Sequence, residues 1–558
     1  MIKTIAITLF LLTSNASANL TNTQKEMLSL WEAIHGSFST LYAPKEWKQT
    51  HHNWSLETEN QRMQTLIRST PAMDIKSFQG HLKKFFASTK DYHVDYEFIS
   101  TEKSSLPLEI KGNGKRYFLA WIDRTKLSEE TFPFEVGDEV VSFAGVPTID
   151  VVTDLKKEMG SNVSETDEAL AQLYLTHRSG KRVMRVPFGP VTLELKRKGE
   201  DYTVEHQLVW DHTKELINYD VLLSTNKNLT KAEKVLNRFN MKSGLEKTFS
   251  SRKMEEKNPW ELGARKSFLP DLGDRIWESS KDNHYDAYIY LSEEKELIGY
   301  VRIPTYDASD EEVEKFQEII EKMENLTDKL VIDQVNNPGG SVFYMYSLLS
   351  MLTDTALHTA REHMAITQTD IKEAVLDLPK LEKIKTDEEA QKFMEAETLD
   401  GWPIDLTFIA FLKAYYQFVI DEWNGGNFLT SPWYIWGVDK INPHPEVNYT
   451  KPILLLINEM DFSGGDFFPA ILQDNERVTI LGTRTAGAGG YVLEMEIPNR
   501  MGLSGWSLTG SLAKRVNDQP IENLGVTPDI DYKLSVDDYQ NNYRSYIKAI
   551  KKAIKELE

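Results

Sequence analysis

The sequence predicts a multidomain α/β protein, with an N-terminal helical region, a middle β domain and a C-terminal domain of alternating strands and helices. Three observations carry this. A length of 558 residues exceeds what one hydrophobic core fills, so two to four domains are expected. An apolar fraction of 41% with 30 Gly and 21 Pro is that of a globular chain. The apolar period also changes along the chain, from helical to two-residue alternation and then to strand and helix blocks in turn.

The chain opens on Met1-Ile2-Lys3, an apolar stretch from Ile5 to Leu12, and Ala16-Ser17-Ala18. A basic start, a short apolar core and small residues at this spacing predict a signal peptide over 1–18, a mature chain from Asn19, and export to the periplasm or beyond. The stretch is too short to span a bilayer, and no other run is long and apolar enough. Residues 19–114 are expected to be a helical region. Asp74 caps a segment with Phe78, Leu82, Phe85 and Phe86 at helical spacing, which ends where Lys90-Asp-Tyr-His93 begins.

Residues 115–215 read as short strands, with a hairpin at 191–208 around Lys198-Gly199 and a short helix at 164–175. Residues 216–285 are rich in Lys and Asn and weakly periodic, and read as a linker or activation segment. From 286 to 558 strand-length apolar runs at 297–303, 329–333, 453–457 and 478–481 alternate with helical stretches at 310–323, 343–352 and 466–472. That alternation predicts a mixed or parallel sheet covered by helices. Tyr543, Ile547, Ile550, Ile554 and Leu557 form one apolar stripe on a basic tail helix, expected to dock on the domain surface.

Composition excludes several classes of function. A net charge of −21 with no long basic run argues against nucleic acid as a partner. The absence of cysteine removes thiol catalysis and thiolate zinc sites. His51-His52 and His358…His363 lack metal-site spacing with a carboxylate, so no metal and no cofactor is assigned.

Two segments suit chemistry. Asp333-Gln-Val-Asn-Asn-Pro-Gly-Gly340 follows an apolar strand and frees backbone N–H groups to face a ligand. By itself it reads as a tight turn. In Asn458-Glu-Met-Asp-Phe-Ser463-Gly-Gly-Asp466 a serine sits at a sharp strand-to-helix turn, where helix amides can stabilise an oxyanion. Ser463 and Asp466 also fit a capping box, a purely structural alternative.

Together the segments resemble the tail-specific (C-terminal processing) and tricorn peptidase family. Its further motifs match at Gln473-Asp-Asn-Glu-Arg477 and Gly482-Thr-Arg-Thr-Ala-Gly-Ala-Gly489, over roughly the last 270 residues. The stretch from Phe134 to Pro147 is similar to the core of PDZ domains, where the family places one. The resemblance implies a crotonase-like C-terminal peptidase domain acting on protein or peptide substrates. The family's Ser–Lys dyad is not available: its lysine position is Ala488, and no lysine lies between Lys451 and Lys514.

Another base must then serve, and His93, His444 and Lys514 are the residues to weigh. Asp-Tyr-His93, Asp-Phe-Ser463-x-x-Asp466, Thr485-Ala-Gly-Ala-Gly-Gly490 and Ile521-Glu-Asn-Leu-Gly-Val526 resemble the chlamydial protease-like activity factor group. That resemblance implies a triad of Ser463, His93 and Glu522, an oxyanion hole at Gly340 and Gly464, and synthesis as a zymogen. The alternative is an inactive relative that binds peptides. The oligomeric state is left open, a homodimer being one option.

N-terminal sequencing of exported protein is expected to begin at Asn19. Material beginning at Met1 contradicts the signal peptide.

Overall fold

The computed structural model describes residues 20–216, 240–242 (backbone only) and 258–557. The expected signal peptide lies outside them, as does most of the 216–285 segment.

Four helices come first: α1 (Asn22–Leu41), α2 (Lys45–His52), α3 (Leu56–Ser69) and α4 (Ile75–Ser88). Thr21, Ser55 and Asp74 cap α1, α3 and α4 by accepting backbone N–H bonds. Their buried faces share one core with Met501, Leu503, Trp506 and Leu508, more than 400 residues away in sequence. The strand Tyr96–Phe98 also pairs with Leu503–Thr509. The N-terminal region is thereby built onto the C-terminal domain.

The middle domain is a β-sheet in which Pro190–Lys196 and Val204–Val209 form the expected hairpin. It also carries α5 (Thr148–Lys156) and α6 (Ser164–Thr176).

The C-terminal domain holds a seven-stranded sheet. Its order is Arg275–Glu278, Ala287–Leu291, Leu297–Arg302, Lys329–Asp333, Ile453–Ile457, Thr479–Gly482, Ile530–Asp531. The first two pairings are antiparallel and the other four parallel. The central strands Lys329–Asp333 and Ile453–Ile457 are near-continuous apolar runs because both of their faces are covered. One face packs against α7 (Asp310–Leu326), α8 (Val342–Ser350) and an insertion carrying α9 (Gln368–Leu381), α10 (Asp387–Met394) and α11 (Leu406–Asn424), with α12 (Gly464–Asp474). The short α13 (Val536–Gln540) leads into α14 (Arg544–Glu556), and Tyr546, Ile550 and Ile554 lie on the other face against Val331, Leu454 and Leu481. The apolar stripe of the tail is thus used for docking. No helix among the described residues is long and apolar enough to cross a membrane.

Ile550 is fully buried in that contact. Ile550→Ala is expected to destabilise the C-terminal domain by about 2–5 kcal/mol, read as a lower urea midpoint. An unchanged midpoint contradicts docking by this face.

Candidate active site

At the end of Ile453–Ile457 the chain turns sharply into α12, and Ser463 stands at the turn with φ 58° and ψ −111°. A β-carbon disfavours this backbone, which persists only where surrounding contacts fix it. Two buried carboxylates supply them. Asp466 accepts from the N–H groups of Ser463 (2.9 Å), Gly487 (2.8 Å) and Ala488 (2.9 Å), and from the Thr485 hydroxyl. Asp461 accepts from the N–H groups of Asn337 (2.9 Å) and Asn458 (2.9 Å), and from the Gln334 amide at 3.1 Å. Burial pushes Asp466 up to about 6 and Asp461 in the same direction, and those hydrogen bonds oppose it.

The Ser463 hydroxyl is buried and has no hydrogen-bond partner among the described residues. It is not used to cap α12. The reverse half of the capping box is present, since Asp466 holds the Ser463 amide.

The turn after Lys329–Asp333 locks onto the elbow. Asn337 Oδ1 accepts from Gly339 N (2.9 Å), its amide donates to the Ile303 carbonyl (3.1 Å), and its carbonyl accepts from Phe462 N (2.9 Å). Gly340 has φ 152°, and a β-carbon there would lie 2.1 Å from the Tyr306 carbonyl carbon. A β-carbon on Gly464 would lie 3.3 Å from Gly340 N. The two glycines selected as oxyanion donors therefore lie against each other. Residues 240–242 pair antiparallel with Gly339–Ser341, with Met241 opposite Gly340, so this backbone edge is already occupied.

His93 lies between α4 and Tyr96–Phe98. Asp91 organises the turn, accepting from His93 N (2.9 Å), the Tyr42 hydroxyl (2.9 Å) and the Thr509 hydroxyl (2.8 Å). The Ser507 hydroxyl donates to the His93 carbonyl at 2.7 Å. The imidazole is fully buried, and neither ring nitrogen has a partner among the described residues. Burial lowers its pKa to about 4, with Asp91 opposing and Lys48 reinforcing the shift.

Glu522 is also fully buried and accepts from Gly489 N at 3.1 Å. Its other oxygen is paired with Lys48 of α2. Lys48 further donates to Asn523 Oδ1 (2.9 Å) and to the Lys90 carbonyl (2.7 Å), so all three of its N–H bonds are used. Burial raises Glu522 to about 8, Asp91 adds to this, and Lys48 and the Gly489 amide oppose it.

The three candidate residues thus come to one buried region but are not hydrogen-bonded to one another. The carboxylate of Glu522 faces Lys48. The other base candidates are occupied elsewhere: His444 Nδ1 accepts amides of its own loop, and Lys514 stands beside Asp518 at 3.5 Å. Lys48 was not selected from the sequence. In Lys45-Glu-Trp-Lys-Gln-Thr-His-His52 it reads as a polar helix residue, and only partners more than 40 positions away mark it. Among the described residues no group of three His, Cys, Asp or Glu is placed to hold a metal.

The PDZ domain family matches residues 102–220, and Peptidase family S41 matches residues 297–532. A Chlamydia trachomatis (serovar D) protein is 33% identical over 556 residues, covering 92% of this chain and 90% of that protein. A Chlamydia pneumoniae protein is 34% identical over 555 residues, covering 93% and 88%. The structure of mature CPAF complexed with lactacystin superposes with a TM-score of 0.81 at 32% identity, covering 96% of this chain and 99% of that one. That of mature CPAF gives 0.80 at 31% identity, covering 95% and 97%.

Removing Lys48 leaves a buried carboxyl without its cation. Lys48→Met is expected to destabilise the protein by about 3–5 kcal/mol, and the double variant with Glu522→Gln by less than the sum of the two singles. Strictly additive losses in urea unfolding contradict the pairing.

Proposed function

The chain belongs to peptidase family S41, in the group of the chlamydial protease-like activity factor (CPAF), and we propose that this serine peptidase is an exported endopeptidase using Ser463, His93 and Glu522. The observation that carries the reading is the Ser463 hydroxyl, buried and without a hydrogen-bond partner among the described residues, on an elbow of positive φ, with Gly464 against Gly340.

Neutral His93 accepts the Ser463 proton as the hydroxyl oxygen attacks the scissile carbonyl, and later gives it to the leaving amine. Glu522, ionised when it serves, holds the imidazole tautomer and offsets the imidazolium charge. The Gly340 and Gly464 amides receive the oxyanion. Water then hydrolyses the acyl-Ser463 ester. The substrate backbone adds as a strand along Gly339–Ser341, whose edge suits an extended peptide.

Residues 240–242 lie on that same edge, which supports synthesis as a zymogen that is cut within 216–285. Wild type is expected to cleave itself in that stretch while Ser463→Ala stays whole. If both remain intact while wild type digests substrate, the zymogen reading fails.

A fluorophosphonate is expected to label Ser463. His93→Ala should lose nearly as much activity as Ser463→Ala, since triad members act as a unit. Glu522→Gln should lose on the order of 10⁴ in turnover, and Lys514→Ala should keep most activity. Because burial holds His93 at about 4, it stays neutral until the pH falls through that value. Glu522, which burial raises to about 8, must also be ionised to serve, so the acid limb of kcat/KM follows the higher of the two values and should lie above the free imidazole value of about 6.5. A limb well below that value means that turnover does not require an ionised Glu522, and contradicts its role in the triad. An active His93→Ala enzyme beside a dead Lys514→Ala one would overturn the assignment of the base.

A further inference from the structure

Residues 162–167, at and just before the first turn of α6, belong to the PDZ-like domain, yet they touch every loop that carries a candidate catalytic residue. Asp167 Oδ1 accepts from the Tyr92 hydroxyl at 2.8 Å, and Tyr92 immediately precedes His93. Asp167 Oδ2 accepts from Asn162 N at 2.8 Å, and Val163 N donates back to the Tyr92 oxygen at 3.1 Å. The Thr166 hydroxyl donates to the Glu459 carbonyl at 2.8 Å, within the turn that ends at Ser463. Glu165 accepts from Arg484 at 2.8 Å, on the loop whose Gly487 and Ala488 amides bind Asp466. Asn162 Oδ1 accepts from the Asn523 amide at 2.7 Å, beside Glu522.

Apolar packing follows the same path. Ala169, Leu170 and Leu173 of α6 share a small core with Met460, Phe462 and Ala488. The Tyr92 ring meets Phe462 edge to face with centroids 5.5 Å apart, joining the neighbour of His93 to the neighbour of Ser463. Thr166 is fully buried and Asp167 nearly so. A surface joint between two domains needs no buried carboxylate with both oxygens used, nor a buried hydroxyl aimed at one carbonyl of the elbow.

We propose that the first turn of α6 is a positioning element of the catalytic site, in which Asp167 sets the His93 loop through Tyr92 and Thr166 sets the Ser463 elbow through the Glu459 carbonyl. The PDZ-like domain then supplies part of the alignment that catalysis needs. This rests on the reading of Ser463, His93 and Glu522 as a triad. Asp167→Ala removes both oxygens, and with them the acceptors of the Tyr92 hydroxyl and of Asn162 N. Tyr92→Phe removes one hydroxyl and keeps the ring on Phe462.

The test uses the full chain, a fluorogenic peptide that wild type cleaves, and a fluorophosphonate probe. Tyr92→Phe and Asp167→Ala should each lower kcat by on the order of 10²-fold, the size of a misplacement near 1 Å, with KM little changed. Their double variant should be no slower than the slower single, because one contact is lost twice. Thr166→Val should lower kcat and Thr166→Ser should restore it. Labelling of Ser463 should slow in parallel. Wild-type kcat in both Tyr92→Phe and Thr166→Val, whatever their melting temperatures, overturns the proposal and leaves the triad standing. Wild-type kcat in His93→Ala sinks the triad reading and this proposal with it.

Discussion

The site depends on two carboxylates that accept backbone amides in the interior. Asp466 ties the Ser463 amide to those of Gly487 and Ala488, and Asp461 ties the elbow to Asn337. A buried carboxylate is costly unless its oxygens are satisfied, and backbone N–H groups satisfy it only in one geometry. The same bonds that make the burial tolerable therefore fix three loops at once. They also explain why Ser463 can hold φ 58° without its hydroxyl taking part. The strain is borne by Asp466, which leaves the hydroxyl free for chemistry.

The remaining groups arrive from the far end of the chain. The His93 turn is held by Asp91, whose partners Tyr42 and Thr509 come from opposite ends of the sequence. The helical region shares its core with Met501, Leu503, Trp506 and Leu508. Deleting that region would remove His93 and Lys48 together with the packing against the strand Leu503–Thr509. It is part of the peptidase and not an appendage to it.

Much of the sheet was legible because its central strands are buried on both faces. A run such as Ile453–Ile457 can then be nothing but apolar, and its ends fall where polarity returns. The elbow was legible for a related reason: small residues after Ser463 leave room for Gly464 to approach Gly340. The insertion with α9, α10 and α11 was not read, since its amphipathic helices look like any others until the core they cover is known. His93 was one of 12 histidines and came forward only through resemblance. Lys48 and Asp167 had no signal of their own. Their roles lie in partners tens to hundreds of residues away, and no local pattern of charge or period records such a contact.

Lys48 also bears on the lysine that the family motif lacks here. Ala488 fills that position, its amide bound to Asp466 and its side chain buried in a small apolar core. A lysine does reach the site, but from α2, and with a different task. A base must have a free lone pair, whereas all three donors of Lys48 are spent on Glu522, Asn523 and the Lys90 carbonyl. What such a cation can do is favour the ionised form of a carboxyl that burial and Asp91 push the other way. On the proposed triad, lysine has changed from proton acceptor to counter-ion, and the proton goes to a histidine whose ring nitrogens have no partner among the described residues. A buried imidazole with nothing attached is costly to keep in a folded core. The proposed role of His93 as base accounts for that cost: its unused lone pair and N–H are then kept for a partner that comes and goes, as a serine proton would in each turnover.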